Sequence, residues 1–388
     1  MFYAELLLGL FFIFFWAAQI FFVKKHMDWT YNVIDSNEED EKEGVTIIHP
    51  IKDLDFEFEK NVMSTFEQNY RGPLQHVFSF QDENDPAIPV VKRLVEDYYP
   101  NLDAAITVNP LIEGLNGKSS NMIHGMKLAK YQTLVFVDSD IRVQPDFIVK
   151  MVRPLRKHGV GMTTCGQVNI GGKDFWTRFF TFLQNSETDF LWAFFTKLNL
   201  NMGATGAAFA MRKDLLEKVG GLERFGSSLL EDFHLGETLY KMGYKLVLGP
   251  FVECHVNVLP MERSLNYAKR IGVGIKTHIL TELPLFVLML SWYWIFLMIG
   301  ILTKSKGVIF LSLIFLFFRV IQSLLMRKVT KNEIKIVDFI MGPLFDIFGS
   351  FYLLYALSNP YVEWRGIRYR VSKGGYIQKI EVPEKKNS

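Results

Sequence analysis

Two acidic pairs carry the chemistry this chain could do. The first is Asp138-Ser139-Asp140. Leu134 to Val137 is a short, continuous apolar run, the pattern of a strand buried on both faces of a parallel sheet. It ends abruptly in two carboxylates one residue apart. Such a pair is costly next to a core unless something neutralises it, and the carboxyl ends of strands in an open α/β sheet are where ligands bind. A magnesium or manganese ion between the carboxylates and a diphosphate would supply the missing charge. A loop with two solvated aspartates, one capping the next turn, is the plain alternative. The second pair, Glu231-Asp232, precedes the helical pattern Leu235, Leu239, Met242, which Gly243 ends. A helix N-terminus favours carboxylates through its dipole. The same position suits a general base that accepts a proton from an attacking hydroxyl.

Three further stretches could serve the same site. Asp82 follows the strand Leu74 to Phe80, where a carboxylate can hold a base or ribose, or form an Asx turn before Pro86. Gly114-Leu115-Asn116-Gly117-Lys118-Ser119-Ser120-Asn121 does not have P-loop spacing. Small residues opening a helix can still cradle phosphate with backbone N–H groups, and Lys118 adds a positive charge; an ordinary helix start reads equally well. Gly203-Ala204-Thr205-Gly206-Ala207-Ala208 brings backbone close to something, a substrate or a packed helix.

These residues need a scaffold, and the pattern supplies one. Strands at 45–50, 74–80, 104–108, 134–137, 160–167 and 244–248 alternate with helices at 53–69, 88–98, 119–130, 145–157 and 213–219. Such alternation predicts an α/β fold with a mostly parallel, doubly wound sheet. The α/β domain is expected over 45–260. Before it, residues 2 to 23 hold Glu5 as their one charge and are long enough to span a bilayer. Lys24-Lys25-His26 follow directly, so an uncleaved anchor (1–25) with the later residues cytosolic is expected. Residues 26–44 contain the acidic run DSNEEDEKE, expected to be a solvated linker. Residues 174 to 200 mix many Phe and Trp with charges and suit a helix partly embedded in the membrane surface, with a core helix as the alternative. Residues 261–282 read as a basic amphipathic helix, 283–360 as C-terminal membrane segments, and 361–388 as a basic tail. For 283–360, either a pair of spans followed by a hairpin broken at Gly342-Pro343 or three full spans fit the pattern. The tail, WRGIRYRVSKGGY from Trp364, is expected on the cytosolic membrane surface near the diphosphate.

Composition agrees with membrane segments at the two ends. Nearly half of the 388 residues are apolar and 35 are Phe, an excess concentrated at the two ends. The net charge of +2 argues against nucleic acid as the main partner. Cys165 and Cys254 make neither metal-ligand spacing nor a disulfide framework and suit two reduced structural thiols.

Taken in order, QDENDP, GLNGKSSN, VDSDIRV, GATGAAFAMRKDLLEKVGG, LLEDFHLGETLYKMGYKL and WRGIRYRV resemble ceramide glucosyltransferase and its bacterial relatives, including hopanoid-associated lipid glycosyltransferases. More broadly they are similar to the family 2-type glycosyltransferases of the GT-A fold. The resemblance covers nearly the whole chain and rests on the ordered set rather than on any one motif. It implies that 45–260 is a GT-A domain. It further implies that Asp82, Asn116 and Lys118 lie at the nucleotide, that Asp138 and Asp140 bind a divalent metal and the diphosphate of a UDP-sugar, and that Asp232 is the catalytic base. The implied reaction is an inverting transfer of a hexose, glucose first among them, to a lipid hydroxyl such as that of ceramide. A bacterial inner membrane or an endomembrane is the implied location. The family's Gln/Arg-x-x-Arg-Trp motif is degenerate here: Arg263 fits, whereas Asn266 and Tyr267 replace Arg and Trp. Glu231, Arg263, Arg270 or an arginine of the tail are the candidates for the diphosphate and acceptor contacts. A polysaccharide-chain synthase and a non-catalytic protein that binds nucleotide-sugar or lipid are the alternative functions.

Overall fold

In the computed structural model of the chain, residues 2–172, 174–185, 189–200, 203–258, 261–262, 264–266, 269, 292–329, 342–349, 351, 355, 361–372 and 375–381 are described. The helix α1 (Phe2–Tyr31) and the single turn α2 (Glu38–Glu41) come first. Next come β1 (Val45–Pro50), α3 (Phe58–Phe66), β2 (Leu74–Phe80), α4 (Ala87–Arg93), β3 (Ala104–Val108), α5 (Gly117–Met126) and β4 (Thr133–Val137). They are followed by β5 (Ile141–Arg142), α6 (Phe147–Val152), β6 (Val160–Gly171), α7 (Phe175–Leu183), α8 (Asp189–Lys197), β7 (Ala208–Arg212), α9 (Lys213–Lys218), α10 (Glu231–Lys241) and β8 (Lys245–Val256). The last are α11 (Trp292–Leu302), α12 (Lys306–Val329) and the strands β9 (Tyr361–Trp364), β10 (Ile367–Val371) and β11 (Ile377–Glu381).

An eight-stranded sheet runs in the order β3-β2-β1-β4-β7-β6-β8-β5. Its first four strands are parallel, with β1 between β2 and β4. All residues of β1 and β4 are buried, which is why both read as largely apolar runs, with His49 the exception in β1. The far half is different from the expected doubly wound sheet: β7 is antiparallel to β4 and to β6, and β5 is antiparallel to β8. Successive side chains of one strand serve opposite faces. Val77 packs with Ile48, Phe136, Phe209, Met122 and Leu235 on one side, and Phe78 with Phe58, Val62, Ile88 and Val91 on the other.

Several expectations change in detail. The helix expected over 53–69 starts at Phe58, because Asp53 and Glu57 both adopt left-handed φ, at 63° and 54°. The aromatic stretch 174–200 forms two helices, α7 and α8. The acidic run is mostly exposed, as a solvated linker would be, but Ser36 and Asp40 are buried. Asn37 caps α2, and fully buried Asp40 sits 2.7 Å from both Arg153 and Arg156. The tail forms a separate three-stranded sheet, β11-β10-β9. Among the described residues no helix is long and apolar enough to cross a membrane. The described fold is thus the α/β portion of the expectation without its transmembrane portion. Cys165 and Cys254 are buried free thiols.

The chain divides into two compact units. One comprises Met1–Asp28, Val168–Phe194 and Val256–Val362; the other comprises Trp29–Gln167, Phe195–His255 and Glu363–Ser388. In the first, α11 and α12 contact one another, and buried Arg319 binds buried Asp346 at 2.7 Å. Tyr293 also donates to Asp346 at 2.9 Å.

Two histidines in the parallel half make a testable prediction. His49 and His76 are buried on neighbouring strands, their ring nitrogens 3.2 Å apart. Burial, opposed by the charge of Asp103, pushes His76 down to about 3. Burial and then His76 drive His49 well down as well. Both are therefore neutral in the folded protein, whereas an unfolded histidine gains a proton near pH 6.5. The unfolded state binds more protons between pH 6.5 and 3, so stability falls as pH drops through that window. The slope is roughly 1.4 kcal/mol per pH unit for each histidine. Thermal unfolding of the wild type and of His76→Gln at pH 7, 6 and 5 checks this. The variant should lose less stability on acidification, and parallel curves would show that His76 does not titrate on unfolding.

Candidate active site

The parallel strands end together, and the acidic motif lies where they end. Val137 closes β4, so Asp138 leaves the sheet beside the start of antiparallel β7. The Asp138 N–H donates to the Ala207 carbonyl at 3.0 Å. The small-residue run before β7 thereby lies against the first aspartate. Lys118, from the first turn of α5, reaches into this corner. Its Nζ is 2.7 Å from an Asp138 carboxylate oxygen and donates to the Gly206 carbonyl at 2.6 Å.

Lys118 also senses the second acidic pair. Burial works against its ammonium, but Asp138, Glu231 and Asp232 together hold its pKa above the usual lysine value. One cation thus lies in the field of both motifs. Glu231 is buried at the N-terminus of α10, and Asn116 Nδ2 donates to its Oε2 at 3.1 Å. Asn116 is itself buried. Its Oδ1 caps α5 by accepting from Ser119 N at 2.8 Å, and its Nδ2 also donates to the Ser228 carbonyl at 2.6 Å. Asn116 therefore ties α5 to the start of α10 and sets the distance between Lys118 and the Glu231-Asp232 pair.

Asp232 is partly buried. Its Oδ1 accepts from Phe233 N at 2.8 Å, while Oδ2 faces Gly206. A Cβ at Gly206 would overlap Asp232 Oδ2 and come 3.0 Å from Lys118 Nζ. Glycine here is a matter of close approach, and Gly206→Ala has to push both groups apart. Misplacing a reacting group by about an ångström costs on the order of 100-fold in rate. A loss of that size in kcat, with the folded state intact by circular dichroism, is expected; activity near wild type would mean that Asp232 has room to move.

The middle of the first motif has a partner that sequence reasoning missed. Ser139 Oγ donates to Asp55 Oδ2 at 2.6 Å. Arg365 grips the same carboxylate with both arms, Nη1 to Oδ1 at 2.7 Å and Nη2 to Oδ2 at 2.9 Å. Burial, then the charges of Asp55 and Asp138, raise Asp140 to about 7, with Arg365 and Lys118 opposing. Burial disfavours the Arg365 guanidinium, yet the Asp55 hydrogen bonds and the charges of Asp55, Asp140 and Asp138 raise its pKa. Asp55 lies in the irregular turn before α3, so no periodic pattern could have marked it. No local pattern marks where the Arg365-Gly366 turn docks.

The remaining expected residues are spread out. Asp82 is exposed after β2 and forms an Asx turn, its Oδ1 accepting from Asn84 N at 2.9 Å and Asn84 Nδ2 at 3.2 Å. Asp82 is one of the carboxylates whose charge acts on Lys52. Arg263 and Arg270 lie outside the described residues. Among the described residues no group of three or more His, Cys, Asp or Glu side chains could hold a metal ion.

A two-motif acidic site at the ends of the parallel strands, with one lysine between the motifs, suits group transfer from an anionic donor. The family comparison agrees: the model for glycosyl transferase family 21 matches residues 9–377. The chain belongs to that family and is a glycosyltransferase. Among curated proteins it is similar to ceramide glucosyltransferase 1 of Caenorhabditis elegans. That relative is 25% identical over 344 residues, which cover 86% of this chain and 73% of the relative. The ceramide glucosyltransferase of Candida albicans is 38% identical over 118 residues, 28% of this chain and 22% of the relative. Among solved structures there is a likeness to the mannosyltransferase PcManGT from Pyrobaculum calidifontis in complex with GDP-Man and Mn2+. Its TM-score is 0.47 at 14% identity, and the match covers 90% of this chain and 96% of that one.

Proposed function

We propose that this glycosyltransferase is a membrane-attached, inverting enzyme that moves a hexose from a UDP-sugar to a lipid hydroxyl. Glucose and ceramide are the first candidates. The observation that carries this reading is the place of Lys118, bound to Asp138 at 2.7 Å and held in the field of Glu231 and Asp232. Donor and base chemistry thereby share one small volume. In the proposed step the acceptor oxygen bonds to the anomeric carbon as the bond from that carbon to the diphosphate oxygen breaks. Asp232 takes the hydroxyl proton, and the diphosphate leaves with the electron pair. Lys118 stays beside Asp138 and orients it, while Asn116 holds Glu231 and so keeps the start of α10 in place.

Burial first, and then the crowding by Asp55 and Asp138, drive Asp140 up to about 7; a divalent cation relieves such a charge pattern. Magnesium is commonly held by one or two carboxylates plus substrate phosphates. Asp138 and Asp140 would hold magnesium or manganese, which when bound offsets diphosphate charge and eases its departure. Membrane attachment is inferred from the apolar sequence of residues 2 to 23 and from the apolar C-terminal stretches. The lipid acceptor is inferred from the names of the matched relatives.

The test is an assay of full-length protein in detergent with a panel of UDP-sugars, magnesium or manganese, and a total lipid extract. UDP release is measured alongside mass spectrometry of the lipids. A lipid gaining one hexose names donor and acceptor together. UDP release with no modified lipid, but with a growing saccharide, would replace the lipid by a polysaccharide acceptor. No release with any UDP-sugar would sink the donor assignment.

A further inference from the structure

We propose that Arg365 binds the donor's diphosphate and that Asp55 holds its place until the donor arrives. The proposal rests on the nucleoside diphosphate-sugar reading above and adds a binding residue to it. Arg365 sits at the tip of the hairpin between β9 and β10. Arg365 and Gly366 take φ of 52° and 73°, so the turn has two consecutive left-handed residues. For a non-glycine residue that conformation is disfavoured. The guanidinium it presents lies against the acidic motif: it forks Asp55, which Ser139 also binds, and it lies in the field of Asp138 and Asp140.

A guanidinium that fits a carboxylate with two parallel bonds fits a phosphate in the same way. Lys118 is committed to Asp138 and the Gly206 carbonyl. Arg365 instead holds a carboxylate outside both acidic motifs, on a turn at the edge of the site. An incoming diphosphate carries more negative charge than Asp55 and takes the fork from it.

The hairpin is held firmly enough to present the arginine. Ile377 N donates to the Ser227 carbonyl at 2.7 Å, and Leu229 N to the Gly375 carbonyl at 2.9 Å. The Tyr376 ring stacks on His234 at 5.1 Å, and Tyr369 is fully buried. The tail thus touches the loop before α10 and the Asp55 turn.

Calorimetric binding of UDP and of uridine to full-length protein in detergent tests this. Hydrogen bonds to charged groups contribute about 1.5–3 kcal/mol. Arg365→Ala should therefore weaken UDP on the order of 10–100-fold while changing uridine less than about twofold. Arg365→Lys keeps the charge and loses the fork, and should fall between. Asp55→Asn removes the competitor and should tighten UDP several-fold. Equal loss of UDP and uridine in Arg365→Ala, or unchanged UDP affinity, overturns the proposal. If Arg365→Ala does not fold, unchanged UDP affinity in both Arg365→Lys and Asp55→Asn overturns it. A wild-type protein that binds no UDP removes the donor reading and the proposal together. Wild-type binding with indifferent variants removes the proposal alone.

Discussion

Replacing Asp232 by asparagine is expected to lower kcat by about 10²–10⁴-fold, the usual worth of a general base, and to leave UDP affinity within a few fold. The asparagine oxygen can still accept from Phe233 N, which donates to Asp232 Oδ1 at 2.8 Å, so the start of α10 keeps its geometry. What is lost is a group able to take the hydroxyl proton. Glu231→Gln is the matched control. Glu231 is buried and bound to Asn116, so the amide should cost some stability and a smaller share of rate. Steady-state kinetics of both variants, with UDP binding measured separately, decide the assignment. A nearly inactive Glu231→Gln beside an active Asp232→Asn would exchange the two roles.

The second large effect is on stability. Lys150 and Asp146 on and before α6 are fully buried and 2.7 Å apart. Lys150 Nζ also donates to the carbonyls of Thr30, at 2.7 Å, and Asn32, at 3.0 Å, and lies 5.1 Å over the Trp29 ring. Asp146 Oδ2 in turn accepts from Ile34 N at 2.8 Å. The lysine therefore closes the last turn of α1, where carbonyls lack helical partners, and pins it to α6. Removing one member of a buried pair strands the other charge and costs about 3–5 kcal/mol. Lys150→Ala should lose about that much in denaturant or thermal unfolding. Lys150→Met with Asp146→Asn, which leaves no stranded charge, should recover much of it. Equal destabilisation by the single and the double variant would show that the carbonyl contacts, not the ion pair, carry the effect.

Much of the site was legible because it sits where patterns break. An apolar strand that stops at two aspartates marks its own carboxyl end, and Glu231-Asp232 precedes a regular helical period. The parallel half of the sheet followed from alternation. The direction of β7 did not, because a short apolar run looks the same whichever way it pairs. The tail shows a signal passed over: Ile367, Tyr369 and Val371 are buried while Arg368 and Arg370 are exposed. That two-residue alternation is a half-buried strand, although the basic residues suggested a membrane surface. Asp40 was misjudged for a related reason. An acidic run looks solvated until the arginines that meet it, more than a hundred residues later, are in place. Asp55 and Arg365 are separated by some 310 positions, and no local pattern links them.

The hairpin that carries Arg365 also bears on biosynthesis. A nascent chain that has emerged only as far as Val256 already contains both acidic motifs, Lys118 and every strand of the large sheet. It still lacks the guanidinium and the strands that brace the loop before α10. Such a chain would have the proposed base, Asp232, and lack the proposed grip on the donor. On that proposal, full-strength donor binding would wait until the intervening apolar stretches had been made, and would not follow from the folding of the α/β domain alone.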